Sequence, residues 1–274
     1  MSSLSRWSVE QFKATFSLSQ CQVNTRKDAL MGKIVAIGGG SLGAGETRAI
    51  DQAVIRLTGQ RRPRALFIPT ATTDSVEYWD IFRTTYSALG CDCEVLYLIR
   101  ETPSKRRIAQ LIREADLIYV GGGNTLKMMR RWRHLGVDAL LEKAYRKGTV
   151  MSGLSAGCLC WFDWGHSDSM SFYDPDDWDY VRVRGLGLIN ALSCPHYDGE
   201  QRDKSFEAMI RRTGDLGIAL DNCCAIEVVD DQYRILTSRE GAGAHRVRRQ
   251  RGAIISERIG QGRRRRELAG LLGQ

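Results

Sequence analysis

Residues 148–161 read GTVMSGLSAGCLCW and place Ser155 at the centre of G-L-S-A-G, between Gly153 and Gly157. This spelling suits a sharp turn from a strand into a helix, because such a turn crowds the backbone on both sides and admits only the smallest residues there. The serine hydroxyl would stand exposed at the top of the turn. A helix starting at Ala156 would aim free backbone N–H groups into the space beside that hydroxyl, where an oxyanion forms during acyl transfer. A small-residue turn around a buried serine has the same spelling, so the surroundings decide between the two.

Upstream of the turn, apolar runs alternate with helical patterns. Strands are expected over 33–37, 65–69, 93–99, 117–120 and 149–151, and helices over 46–57, 76–89, 104–115, 126–133 and 137–146. Strands apolar on both faces, separated by helices of this length, imply a parallel sheet covered on both sides. Ligands of such sheets gather at the carboxyl ends of the strands. The runs G-G-G-S-L-G-A-G at 38–45 and G-G-G-N-T at 121–125 lie at such ends, as does the serine turn, which predicts one shared crevice. Downstream, an apolar strand after Gly185 reaches Cys194, a helix follows over 203–212, and a hairpin is expected over 218–236 with its turn near Asp230 and Asp231. The expected organisation is one catalytic domain over 31–260. A Ser-rich extension over 1–30, with a short helix over 8–16, precedes it, and a basic tail over 261–274 follows.

Neither glycine run reads as a nucleotide site. Gly38, Gly40 and Gly43 can be laid onto G-x-G-x-x-G, but about twenty residues on, where an acidic residue would hold a ribose, the chain reads Gln60-Arg61-Arg62-Pro63. The second run lacks the Lys and following Ser or Thr of a phosphate-binding loop, so its glycine N–H groups are expected to complete an oxyanion hole with that of Ala156. No cofactor is expected.

Composition narrows the classes further. The chain has 274 residues, 43% of them hydrophobic, and no run of the roughly 18 apolar residues that would span a membrane. Its first thirty residues lack an apolar core followed by a small-residue cleavage site, which disfavours a secretory signal. Eight cysteines fall as 91/93, 158/160, 223/224 and two singles without C-x-x-C spacing, so reduced thiols in a cytoplasmic protein are expected, with no structural zinc or other metal site. Of the net charge of +8, +7 comes from 246–267, where nine arginines face two glutamates. Without interleaved aromatics this segment reads as a solvated, partly disordered terminus, and a nucleic-acid partner is disfavoured.

A serine nucleophile needs a base within hydrogen-bond reach, and the chain has four histidines. His134 falls among arginines on a helix and His245 lies in the basic segment. His196, in S-C-P-H-Y, follows an apolar strand at the end where a parallel sheet presents its site, 41 residues after the serine, and is the preferred base; His166 in G-H-S-D-S is its rival. Asp168 lies between serine and histidine in chain order and is expected to orient the imidazole. It is one of six aspartates over 163–179, a stretch without Lys or Arg that reads otherwise as a solvated acidic loop.

Taken together and in order, V-G-G-G-N-T, G-x-S-A-G-C about thirty residues later, S-D-S-M, P-H-Y and G-E-Q-R resemble the family of serine peptidases that includes peptidase E (aspartyl dipeptidase) and cyanophycinase, over about 31–238. The resemblance implies a three-layer α/β sandwich with a mostly parallel central sheet, related to class I glutamine amidotransferases (flavodoxin-like), with serine in place of their cysteine. It puts the nucleophile on Ser155, the histidine on His196, the acid on Asp168, and the oxyanion donors on Ala156 and on Gly122 or Gly123. Arg202 matches an arginine that binds a substrate carboxylate in the aspartyl dipeptidase, and Asn124 is grouped with it as substrate-binding. The segment C-L-C-W-F-D-W-G-H-S-D-S departs from the dipeptidase pattern and argues against strict aspartyl specificity; its acidic continuation would suit a cationic substrate group. The function expected is hydrolysis of short peptides, dipeptidase or isopeptidase in type, through an acyl-enzyme, with a homodimer allowed for. An α/β-hydrolase-like esterase, whose base would sit near the chain's end, and a non-catalytic binding protein on the same fold are the alternatives.

Overall fold

The computed structural model describes residues 32–199 and 201–273. The extension over 1–30 and its helix lie outside the described residues. The first half of the chain alternates as read: β1 (Lys33–Ile37), α1 (Arg48–Leu57), β2 (Arg64–Ile68), α2 (Val76–Ala88), β3 (Asp92–Val95), α3 (Lys105–Glu114), β4 (Leu117–Val120), α4 (Thr125–Leu135), α5 (Val137–Arg146) and β5 (Val150–Leu154). The serine turn then opens a single helical turn, α6 (Ala156–Leu159). The rest comprises β6 (Phe162–Ser167), β7 (Val181–Arg184), β8 (Ile189–Cys194), α7 (Arg202–Thr213), β9 (Gly217–Leu220), β10 (Cys224–Val229), β11 (Gln232–Thr237), β12 (Ala244–Gln250), β13 (Ala253–Ile259), β14 (Arg266–Glu267) and α8 (Leu268–Leu272).

Eight strands form the main sheet in the order β14-β11-β10-β1-β5-β4-β2-β3, and its five strands from β1 to β3 run parallel. Alternate residues of β1 serve opposite layers. Val35 and Ile37 join the α1 and α2 side with Val54, Phe67 and Phe82, whereas Ile34 and Ala36 join a larger core with Trp132, Leu141 and Tyr145 from α4 and α5. This period of two on a strand buried on both faces produces the expected three-layer α/β sandwich.

A second sheet, in the order β13-β12-β9-β8-β6-β7, was not expected. The single hairpin anticipated over 218–236 is instead two pieces: β9 pairs with β8 and β12, and only β10 and β11 form the hairpin, with Asp230 at positive φ in its turn. The chain crosses between sheets at Asp221 to Cys223, where Cys223 adopts φ 60°, a left-handed conformation that a cysteine does not announce in sequence. The expectation of a solvated basic terminus is also corrected. β12 and β13 pair over their full length, Val247 is buried against α7, and the arginines occupy positions whose long side chains can reach solvent. Residues beyond 260 return to the main sheet, where β14 pairs with β11 and Leu268 and Leu271 are buried. Glu227 is fully buried there; Arg234 Nε and Nη2 each donate to it at 2.7 Å and Arg265 Nε at 2.9 Å. A buried carboxylate of this kind is tolerable only with such partners.

Candidate active site

Ser155 sits where the expected turn puts it, after β5 and at the start of α6, with φ 58° and ψ −111°. A non-glycine residue there costs about 1–3 kcal/mol and persists only when its surroundings enforce it. Tight packing does so here. A Cβ on Gly157 would lie 2.1 Å from the Val120 carbonyl oxygen, so α6 can press onto β4 only with glycine at that position.

The carboxyl end of β1 anchors both the serine and the preferred histidine. The Ser155 N–H donates to the Ile37 carbonyl at 3.1 Å, and the His196 N–H donates to the next carbonyl, that of Gly38, at 3.2 Å. His196 lies beyond the end of β8 and is itself left-handed at φ 52°. Its ring packs onto the first glycine run so closely that a Cβ on Gly39 would fall 2.3 Å from Nδ1. Gly122 borders the serine, its Cβ position being 3.3 Å from Ser155 Cβ. Both glycine runs and the serine turn therefore lie close together at the strand ends.

The group at His196 Nδ1 is Asn222, whose Oδ1 lies 2.6 Å away. Asp198 Oδ1 in turn accepts from Asn222 N at 2.7 Å and Nδ2 at 2.9 Å, and Arg239 Nη2 donates to Asp198 Oδ2 at 2.6 Å. Asp168, expected in that position, is elsewhere: its Oδ2 accepts from Arg202 Nη2 at 2.8 Å. The Arg202 side chain is only 6% exposed; its Nη1 donates to the Pro195 carbonyl and its guanidinium lies over the Tyr180 ring. Asn222 was not among the expected site residues, although D-N-C-C at 221–224 places a polar pair in an apolar run at a strand end.

Electrostatics distinguish the histidines. Burial pushes the His196 pKa below its usual value; the Asn222 bond and the charges of Asp168 and Asp198 act against this, and the charge of Arg202 acts with it. Burial thus favours the neutral imidazole. His166, the rival base, is fully buried, stacks on Tyr180 at 4.2 Å and contacts Ser205 Oγ through Nε2 at 3.0 Å. Burial and Arg202 lower its pKa to about 3, so it is a neutral core residue. Asn124 is corrected from substrate ligand to scaffold. It is 3% exposed, accepts from Lys127 N at 2.9 Å as the cap of α4, and donates to the Ser169 carbonyl at 3.1 Å.

Tyr78 lies beside the second glycine run, and burial raises its pKa to about 12 while the Gly122 backbone acts against this. Among the expected oxyanion donors, the N–H groups of Ala156 and Gly123 enter none of the turn or side-chain hydrogen bonds among the described residues. Such N–H groups can stabilise a negative oxygen beside Ser155. Among the described residues no group of three or more His, Cys, Asp or Glu is placed to hold a metal ion, and no helix is long and apolar enough to cross a membrane.

Comparison with known proteins gives the family. The model of "Peptidase family S51" matches residues 34–236. An uncharacterized peptidase of Bacillus subtilis (strain 168), YgaJ, is 34% identical over 221 residues, covering 79% of this chain and 92% of that protein. Peptidase E of Salmonella typhimurium is 26% identical over 162 residues, 57% of this chain and 67% of that protein. The crystal structure of a peptidase from an acI-B1 Actinobacterium shares the fold, with a TM-score of 0.65 at 17% identity over 87% of this chain and 98% of that one. The chain belongs to peptidase family S51 and is a serine-type peptidase of the peptidase E kind.

Proposed function

We propose that Ser155 and His196 carry out the hydrolysis, and that the substrates are short peptides cleaved in dipeptidase or isopeptidase fashion. Ser155 Oγ attacks the scissile carbonyl carbon as His196 Nε2 takes its proton. The resulting oxyanion accepts from the N–H groups of Ala156 and Gly123, with Gly122 beside them, each donor contributing about 2.7–4 kcal/mol in comparable sites. His196 then protonates the departing amine, leaving an acyl-serine. Water attacks that ester with His196 again as base, and the acid product leaves with Ser155 restored. The observation that carries this reading is the anchoring of serine and histidine to consecutive carbonyls at the end of β1.

Specificity follows from the pair at Arg202. With Asp168 already on its guanidinium, Arg202 offers a substrate carboxylate only what remains after competition with that aspartate. Strict selection of an acidic residue is therefore not part of this proposal. The acidic loop around Asp174, Asp176, Asp177 and Asp179 favours substrates that carry a cationic group. Seven unpaired cysteines among the described residues suit a reducing, cytoplasmic setting. The test is turnover of paired peptides by the wild type and Ser155→Ala, one peptide with an N-terminal Asp and one an Arg-bearing isoaspartyl peptide. Faster cleavage of the Arg-bearing peptide, lost in the variant, is expected. Preference for the Asp peptide would overturn the specificity, and cleavage unaffected by Ser155→Ala would overturn the assignment.

A further inference from the structure

We infer that Asp198 is a positioning residue that sets which nitrogen of His196 carries the proton, acting through Asn222; this rests on the Ser155 and His196 reading above. An asparagine differs from a carboxylate beside an imidazole in having two unlike ends. Its oxygen only accepts and its NH2 only donates, so turning the amide over reverses the proton placement it supports on the ring. With Oδ1 toward the ring, Nδ1 must carry the hydrogen, which leaves the Nε2 lone pair free to take the serine proton. With Nδ2 toward the ring, Nδ1 must be the acceptor, Nε2 is protonated, and the base is disabled.

Nothing in the Asn222–His196 contact alone forbids the second orientation. Asp198 does. Its carboxylate accepts from Asn222 Nδ2 at 2.9 Å, so turning the amide over would replace that bond with an oxygen facing a carboxylate. The same Oδ1 accepts from the Asn222 backbone N–H at 2.7 Å, and Arg239 fixes the other oxygen at 2.6 Å. Arg239 also donates to the Asn222 carbonyl at 3.4 Å, bracing the same turn. The chain from Arg239 through Asp198 and Asn222 to His196 thus has one direction of donation throughout. The negative charge is held one residue back from the imidazole, where it orients the ring with less effect on the pKa than a carboxylate in direct contact would have.

A cycle of variants separates this role from simple support of the loop. The readouts are the rate at which a fluorophosphonate labels Ser155, followed by intact mass, and its pH profile. Asp198→Ala frees the amide to turn and should slow labelling about tenfold, a fraction of the roughly 10⁴-fold cost of enforcing the wrong tautomer in a serine protease. Asn222→Asp presents acceptor oxygens on both sides and needs no orientation. In the Asp198→Ala background it should therefore restore labelling, with the acidic limb moved to higher pH by the new charge beside His196. Arg202, Asp168 and Asp198 are the other charges acting on that ring. In the wild-type background the same Asn222→Asp change sets two carboxylates against each other and should slow labelling. A reversal of sign marks coupling, whereas a structural role gives effects that add.

Labelling of Asp198→Ala at the wild-type rate, or a slow variant that Asn222→Asp does not rescue, would overturn the inference. The wild-type protein gives a second check, independent of the Asp198 and Asn222 variants and of substrate. With 15N-labelled histidine, and His196→Ala to identify the resonances, the His196 ring should show a protonated Nδ1 and an unprotonated Nε2. The opposite tautomer would overturn the inference even if Ser155 labels normally, and a wild type that does not label Ser155 at all would instead remove the reading on which it rests.

Discussion

Gly39→Ala adds one methyl group to a residue that takes no part in the chemistry, and its effect follows from distances. A Cβ at that position would lie 2.1 Å from Asn222 Oδ1, 2.3 Å from His196 Nδ1 and 2.5 Å from His196 Cε1, whereas ordinary contact begins at 3.4 Å. The ring must therefore retreat by the difference, 3.4 − 2.3 = 1.1 Å, and Asn222 by somewhat more. Its backbone anchor, the N–H bond to the Gly38 carbonyl, lets the side chain give way without unfolding the strand end. A misplacement of about 1 Å in a catalytic group costs about 10²-fold in rate, so kcat should fall by about that factor with a much smaller change in KM. Gly270→Ala, at a position with nothing within 4 Å, is the matched control and should leave both constants unchanged. The assay is peptide turnover with a thermal melt on the same samples. A Gly39→Ala protein within about threefold of wild-type kcat would refute the placement of His196 and Asn222 on which the account depends.

Four more outcomes are expected. Because the neutral imidazole is the working form and burial lowers the His196 pKa, the acidic limb of the kcat/KM profile should lie below pH 6.5, and a limb above that value would contradict the site's electrostatics. His166 is held neutral with its pKa near 3 while the unfolded chain titrates near 6.5, so the unfolded state binds the extra proton between these values. Stability should then fall as pH drops from 6.5 toward 3, by up to about 1.4 kcal/mol per pH unit from this group, and denaturant melts of His166→Phe should show a shallower slope. Arg234→Met leaves Glu227 with Arg265 as its remaining cation in a fully buried position and should cost about 3 kcal/mol in urea unfolding; a neutral result would mean the pair is solvated. Deleting residues 261–274 should likewise destabilise the chain, since burial of Leu268 and Leu271 contributes about 1.5–3 kcal/mol each.

The main sheet was legible because strand and helix periods alternate cleanly from 33 to 154, with β1 and β4 ending in glycine runs and β5 in the serine turn. The turn itself was legible for the same steric reason that makes it work. The second sheet was not. β12 alternates arginine with Val247, a pattern whose net charge drew attention away from its period of two. β9 and β10 read as one arm of a hairpin because the turn between Leu220 and Cys224 carries its left-handed residue at Cys223, a residue type that does not announce such a turn, although Asp221 and Asn222 interrupt the apolar run there. At the site, the placement of Ser155 and His196 at strand ends was legible from spelling and position, since each follows an apolar strand. Asp168 could not be placed from sequence. Whether an aspartate faces an imidazole or an arginine depends on which loop crosses the strand ends, and here the guanidinium of Arg202 captured it. Asn124 was misread for a related reason: a polar residue after glycines at a strand end can face the crevice or cap the next helix, and the hydrogen bonds to Lys127 N and the Ser169 carbonyl show the cap.

The central claim is that this fold activates Ser155 through His196. Intact-protein mass after exposure to a fluorophosphonate tests it most directly, with wild type, Ser155→Ala and His196→Ala treated side by side. The account predicts a single adduct on the wild type, none on Ser155→Ala, and a strongly slowed adduct on His196→Ala, with all three proteins melting cooperatively. An unlabelled but well-folded wild type, or labelling at the same rate without His196, would contradict it.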